Sequence, residues 1–305
     1  MIPIFPEFKN IDIEDKRYID SYTRNFKPYS DFNFTNLWSW DTKQKRRISL
    51  LHGNLVVVFT DYQTRAPLIS YLGFRKPIKT AKALIAYAHK ANISTTLHFI
   101  TEKTAKRLKS KTLEVEADES NFDYIFSTSQ LADSLGSKLK KKRQQAKRFI
   151  RENPDAIFKV QKLTDPKVHK HLIATLKRWE HSKKLQSKES NFEHERAAIK
   201  RLLTTSQIHN VLVSSIYCKD KMLAFSIDEL LSHQYAISHF LKADITYKGI
   251  YEFLNKETAQ YLKNQGVKLW NWEQDLNIEG LRKLKKSYQP VHFLKKYKVF
   301  ESYRK

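Results

Sequence analysis

Cysteine is almost absent from this 305-residue chain: Cys218 stands alone. A single thiol excludes an intramolecular disulfide and any zinc site built from several cysteines, and the apolar stretch around it reads as an inert core position. Glycine is nearly as scarce, at 6 residues, which argues against glycine-rich nucleotide loops and against an all-β chain with many tight turns. Neither G-x-x-x-x-G-K-[ST] nor G-x-G-x-x-G occurs, so P-loop and dinucleotide readings fail. A G-x-S-x-G nucleophile elbow is missing too. The nearest approach to a zinc-protease helix, His194-Glu195-Arg196-Ala197-Ala198, has Ala198 where the second histidine would stand. His169 and His171 find nothing nearby to complete a ligand set. No metal and no cofactor are expected. The longest apolar run, residues 55–59, is far too short to span a membrane, and MIPIFPEFKN lacks the basic and apolar regions of a signal peptide. The expectation is a cytoplasmic protein without a transmembrane segment.

Acidic residues are outnumbered, 32 against 56 Lys and Arg, which leaves a net charge of +24. A surplus of that size describes partners rather than fold, and points to RNA, DNA or anionic lipid. Hydrophobic residues make up 41% and aromatic residues 12% of the chain. That is enough for a sizeable core, in one large domain or two of roughly 150 residues.

Apolar periodicity organises the chain into two similar runs. The first has a helix over 12–25, an aromatic-dense stretch over 26–41 read as core, and strands at 47–51 and 54–60 joined by His52-Gly53. A strand at 66–72, a helix at 78–90, a strand at 95–100, a helix at 102–109 and strands at 113–116 and 124–127 follow. Residues 128–152 then read as one helix, with Leu131, Leu135, Leu139, Ala146 and Ile150 on an apolar stripe. Its other faces carry seven basic groups from Lys138 to Arg148, with no acid among them. Charges so crowded repel one another unless a polyanion neutralises them, which makes Lys138, Lys141, Lys142 and Arg143 candidate phosphate contacts. A solvated basic helix linking two domains is the alternative. After Asn153-Pro154 the pattern restarts with a strand at 157–163, helices at 167–182 and 192–203, and strands at 211–217, 222–230 and 234–240. A helix at 249–264 with a Gln265-Gly266 cap, a strand at 268–272 and a final strand at 291–297 complete it.

This order predicts an α+β protein of two tandem GNAT-like (N-acetyltransferase-type) domains. They occupy residues 1–128 and 154–305, and a basic helix over 129–153 links them. An acetyl-CoA-using member of that fold carries Q/R-x-x-G-x-G/A at the start of its central helix. Aligned on Gly249, this chain has Thr246 at the first position and Tyr251 at the last. The acyl donor is therefore expected to differ from acetyl-CoA.

Chemistry concentrates in WNWEQDLNIEGLRKLKKSYQP, residues 270–290. A strand end delivers Glu273 and Asp275. A short helix follows with Asn277 as a candidate N-cap, Gly280 opening its first turn to an anion, and Arg282, Lys283, Lys285 and Lys286 along it. A solvated strand–turn–helix joint would look the same.

Several stretches match one family in order. They are FKPYSDFNFTNLWSW, SLGSKLKKKRQQAKRF, AFSIDELL, HFLKAD, the G-x-Y-x-x-L-N of residues 249–255, and N-x-E-x-D-x-x-x-x-G-L-R-x-x-K-x-S-Y-x-P. Nearly the whole chain resembles the C-terminal domain of phosphatidylglycerol lysyltransferases, the DUF2156 family, here as a soluble stand-alone member. The resemblance implies tandem GNAT-like domains, transfer of an amino acid from aminoacyl-tRNA to a lipid head group, and kinship with the Fem-type transferases of cell-wall peptide synthesis. Membrane-bound synthases place this domain behind many transmembrane helices. Without them the acceptor stays open: a lipid reached by peripheral membrane contact, a peptide, a protein or a small molecule.

The aminoacyl ester is already activated. The enzyme need only align the acceptor, take its proton and stabilise the oxyanion. Asp275 or Glu273 could accept the proton, Arg282 and Lys286 could balance phosphate or oxyanion charge, and Lys242 and Asp244 lie in the HFLKAD strand. Gly249, Tyr251, Asn271, Lys286 and Tyr288 complete the candidate substrate-binding set. Basic residues from Arg282 to the chain end would join the linking helix in holding tRNA. Two other readings stay open: a catalytically inactive RNA- or anionic-membrane-binding protein, and a GNAT-type enzyme with another acyl donor.

Overall fold

The computed structural model describes residues 1–61, 64–108, 110–133, 136–184, 192–232 and 234–302. Two compact units emerge. The first comprises Met1–Asp123, Gln274–Asn277 and Phe293–Lys305, and the second Tyr124–Glu273 and Ile278–His292.

The first unit begins with β1 (Lys9–Asn10), α1 (Lys16–Thr23) and α2 (Phe34–Ser39). The antiparallel meander β2 (Arg47–Leu51), β3 (Asn54–Thr60) and β4 (Pro67–Leu72) follows. Six of the seven residues of β3, NLVVVFT, are buried, as expected for a strand covered on both faces. Helix α3 (Pro77–Lys90) starts with proline in its first turn and buries Ala81, Leu84, Ile85 and Ala88, one helical stripe, against Val56, Val58, Ile69 and Tyr71. It delivers β5 (Leu97–Thr101) parallel to β4. The short α4 (Glu102–Ala105) and β6 (Leu113–Ala117) come next.

The second unit starts with β7 (Asp123–Ser127), α5 (Thr128–Asp133) and α6 (Lys140–Glu152). The element order continues through β8 (Ala156–Lys162), α7 (Pro166–Lys184), α8 (Phe192–Thr204), β9 (Val211–Cys218), β10 (Lys221–Leu230) and β11 (Tyr235–Ala243). After them come α9 (Ile250–Asn264), β12 (Leu269–Asn271), α10 (Glu279–Ser287), β13 (His292–Leu294) and β14 (Lys296–Glu301).

The sheets are ordered β1-β2-β3-β4-β5-β14-β6 and β8-β9-β10-β11-β12-β7-β13. Each is an antiparallel meander, a helix crossing to a parallel strand, and then one strand borrowed from a distant part of the chain. The GNAT-like order read from the sequence is thus present twice. The sequence partition at residues 128 and 153 assigns everything after 153 to one domain. In the structure β14 pairs antiparallel with β5 and β6, and so belongs to the first unit.

Lys296 shows why β14 stays there. Its side chain is fully buried and pairs with Asp31 and, at 2.7 Å, with Asp123. Burial alone would lower the Lys296 pKa, but the two carboxylates outweigh it and hold the ammonium well above its ordinary value. Burial pushes the Asp31 carboxyl up to about 6 against the opposing pull of Lys296. Gln274 is fastened to the same cluster, accepting from Ser30 Oγ at 2.9 Å and donating to Asp31 Oδ1 at 3.1 Å.

Several local expectations need correction. The single helix over 128–152 is broken: Gly136, at φ +84°, stands between α5 and α6. The break shifts the helical phase, so Leu139, Ala146 and Phe149 are buried while Ile150 is exposed. Leu135 lies outside the described residues. Asn277 has a left-handed backbone, φ +60°, and is not an N-cap; Ile278 precedes α10 without a side-chain cap. Gly280, in the first turn of α10, faces open space among the described residues. Cys218 is only half-buried, at the end of β9.

Candidate active site

In the second unit, β11 and β12 pair in parallel only over Tyr235, Ala236 and Ile237 opposite Leu269, Trp270 and Asn271. β12 then ends while β11 runs on to Ala243. The carboxyl ends of two parallel strands separated by a crossing helix are where α/β folds collect ligands. Side chains with chemistry converge on this stretch of β11.

Lys242, on β11, places Nζ 2.6 Å from Glu195 Oε1 of α8 and 4.2 Å from the centre of the Trp179 ring of α7. Both charged side chains are less than one-fifth exposed, so the pair works in a partly dry setting where ion pairing and the cation–π contact are strengthened. Tyr251, in the first turn of α9, lies beside them. Burial pushes its hydroxyl up to about 12, opposed by hydrogen bonds with the Ala243 backbone and the Trp179 side chain. It is therefore a neutral hydroxyl at any physiological pH.

Glu273 immediately follows the last strand contacts and has a left-handed backbone, φ +57°. Its N–H donates to Asn271 Oδ1 at 2.7 Å, and its carbonyl accepts from Lys285 Nζ at 3.2 Å. Its carboxylate meets His239 Nδ1 at 3.3 Å, while His239 Nε2 lies 3.1 Å from Glu229 Oε2. Burial alone would lower the His239 pKa, but Glu229 and Glu273 together carry it up to about 9. His239, buried between the two carboxylates, holds Glu273 in position.

Other expected residues have different local roles. Asn271 is fully buried and orients Glu273. Asp244 accepts from the Thr246 N–H and hydroxyl, at 3.2 and 2.6 Å, and so shapes the turn into α9. Gly249 permits close packing: a Cβ there would stand 2.1 Å from the Gln145 carbonyl oxygen of α6. Tyr288 is buried and its hydroxyl accepts from Asn255 Nδ2 at 3.3 Å. Lys142 sits 4.2 Å over the Tyr288 ring and 3.3 Å from Glu252, so it is not a free phosphate contact. Arg143 donates to the Gly136 carbonyl at 3.1 Å. Lys138, Lys141 and Lys286 are exposed, and Arg282 is half-buried on α10. Asp275 is buried in the first unit, where its carboxylate accepts from the Asn277 N–H at 2.9 Å.

Sequence reasoning missed Trp179, Glu195, Glu229 and His239. Glu195 came up only inside a failed zinc motif. Glu229 and His239 stand within AFSIDELL and HFLKAD, so those segments were the available signal.

In the first unit, side chains pack closely around the end of β4. A Cβ on Gly73, just after β4, would meet Asn54 Oδ1 at 2.2 Å and the Tyr22 hydroxyl at 2.8 Å. Thr104 donates to the Gly73 carbonyl at 2.6 Å, and Lys103 and Arg107 lie 4.1 and 4.6 Å from the Phe74 ring centre.

The family described as phosphatidylglycerol lysyltransferase, C-terminal, matches residues 23–300. A conserved protein of unknown function from Bacteroides thetaiotaomicron VPI-5482 is 25% identical, with a TM-score of 0.84 over 99% of this chain and 100% of that one. The DUF2156 C-terminal domain of a candidate lysylphosphatidylglycerol synthetase from Agrobacterium fabrum is 15% identical, with a TM-score of 0.65 over 94% and 91% of the two chains. L-PGS from Bacillus licheniformis is also 15% identical, with a TM-score of 0.64 over 97% and 94%. At 15% identity these two likenesses speak for the fold alone. No curated protein matches the chain in sequence.

Proposed function

Because the chain belongs to the phosphatidylglycerol lysyltransferase C-terminal family, we propose that it moves an amino acid from aminoacyl-tRNA to a lipid head group or a comparable hydroxyl or amine acceptor. The observation that carries the choice of donor is the packing of α6 on α9. In an acetyl-CoA enzyme the start of that helix is left open for pyrophosphate. Here the Gln145 carbonyl of α6 covers Gly249. The covering helix is itself basic, with Lys138 beside it and Lys141 on it exposed to solvent. A donor carrying a phosphodiester backbone suits that helix better than a coenzyme that must enter beneath it.

The reaction is a simple exchange of esters or of an ester for an amide. The acceptor oxygen or nitrogen attacks the aminoacyl carbonyl carbon, its proton passes to a base, and the ribose oxygen of the tRNA leaves and takes a proton. Glu273, held by His239 and Asn271, would take the acceptor's proton. Lys242 and the Tyr251 hydroxyl would face the carbonyl oxygen as it gains charge. Arg282 and Lys286 would balance an acceptor phosphate. The working compartment proposed is the cytoplasm, where charged tRNA is found.

The test incubates the protein with mixed charged tRNAs, with and without phosphatidylglycerol vesicles, and follows the labelled amino acid. Transfer should occur and should fall by at least about tenfold in Lys242→Met and Glu273→Gln, with tRNA binding retained. tRNA binding should weaken steeply with salt, with a shallower slope in Lys138→Gln/Lys141→Gln. Salt-dependent binding without turnover on any acceptor would favour a binding protein instead. Turnover with acetyl-CoA would overturn the choice of donor.

A further inference from the structure

Helix α10 buries a lysine and exposes a leucine. An amphipathic surface helix normally faces the core with apolar residues and the solvent with lysines. Here Lys285 is 7% exposed and donates to the carbonyls of Trp272 and Glu273, while Leu284 is 43% exposed. Ile278, just before the helix, and Val291, just after it, are each 46% exposed. Among the described residues eight large hydrophobic side chains are exposed, and three of them fall within residues 278–291. Lys283 and Lys286 are exposed in the same segment. Its one acid, Glu279, pairs with Lys283 at 2.5 Å in a solvent-exposed contact that contributes little.

We infer that residues 278–291 form a docking face for the surface of an anionic lipid bilayer. Charge and apolarity together select that occupant. A second copy of the chain would present the same lysines on a molecule of net charge +24, which opposes self-association. A nucleic acid would engage the lysines but leaves the isoleucine, leucine and valine without a role. A bilayer interface takes both, with the aliphatic side chains at the acyl boundary and the lysines among head-group phosphates. Contact would be peripheral, since among the described residues no helix is long and apolar enough to cross a membrane. The buried Lys285 links the face to the candidate site, because it holds the backbone of Glu273. The purpose of the docking rests on the lipid-acceptor reading above, but its physical test does not.

The test is co-sedimentation of the full chain with vesicles of phosphatidylglycerol and phosphatidylcholine, compared with phosphatidylcholine alone. Binding should require the anionic lipid and weaken with salt. Ile278→Asp/Leu284→Asp should weaken it by about tenfold or more, and Lys283→Gln/Lys286→Gln by about tenfold. Neither pair should shift the thermal melt much, because the side chains are exposed. Ile4→Asp, at another exposed aliphatic position, should leave vesicle binding intact. The inference is overturned if wild-type protein ignores anionic vesicles, or if the Ile278/Leu284 pair binds them as well as wild type. Loss of a self-associated species rather than of vesicle binding in that pair would also overturn it. Transfer to soluble acceptors without vesicle binding would sink the docking face alone. Vesicle binding without any turnover would sink the transferase reading alone.

Discussion

A side chain on Gly249 would begin 2.1 Å from the carbonyl oxygen of Gln145. The first turn of α9 and the middle of α6 are in contact through backbone, with no space for a methyl group. Behind this contact lie Phe149 and Phe253, stacked with ring centres 5.3 Å apart. Two helices far apart in sequence are thus locked at the edge of the candidate site.

Gly249→Ala should cost about 2–5 kcal/mol, since it combines a left-handed backbone with a clash against an atom that cannot rotate away. Urea denaturation measures it. A cost under about 0.5 kcal/mol would mean that α6 can retreat from α9 freely.

Lys242→Met and Glu195→Gln should each lower stability by about 1–3 kcal/mol, because each leaves a partly buried charge without its partner. The double variant should lose clearly less than the sum, as expected for two groups in direct contact. Strict additivity in a double-mutant cycle would show that the pair contributes nothing as a pair.

His239 predicts a stability profile. Its folded pKa, about 9, lies above the ordinary histidine value of 6.5. Its contribution is therefore fully present below pH 6.5 and is lost as pH rises through about 9, up to about 3 kcal/mol in all. Melting temperatures across that window should fall in the wild type and fall less in His239→Gln. Parallel profiles for the two proteins would refute the charged imidazolium.

Lys296→Met should destabilise by about 3–5 kcal/mol, because Asp31 and Asp123 would face each other in the interior without a cation. The loss should shrink on acidification, as protonation removes one of the two charges. A variant as stable as wild type at pH 8 would show that β14 is held by its strand pairing alone.

Much of the secondary structure was legible because it rests on local periodicity. The β2–β3 hairpin, the meander β9-β10-β11 and α9 with its Gln265-Gly266 end follow from apolar spacing and turn residues. Where one residue resets the phase, the reading slipped. Gly136 splits a helix that composition alone makes continuous, and Ile150 turns outward as a result. The candidate site was legible in part. Glu273, Asn271, Lys242 and Tyr251 were named from their motifs. Glu195, Trp179 and His239 were not, because each acquires meaning only from a partner elsewhere in the chain.

By itself, the sequence determined the family, the repeated α+β order and the excess of positive charge, all carried by residue types and spacing along the chain. Strand exchange was decided only in three dimensions. Nothing in Lys296–Glu301 says that it pairs with β5 and β6, since alternation specifies a strand's faces and not its neighbours. The same holds for Lys285 and Leu284. Helical spacing puts them on adjacent positions, and only the carbonyls of Trp272 and Glu273 decide that the lysine goes in and the leucine stays out.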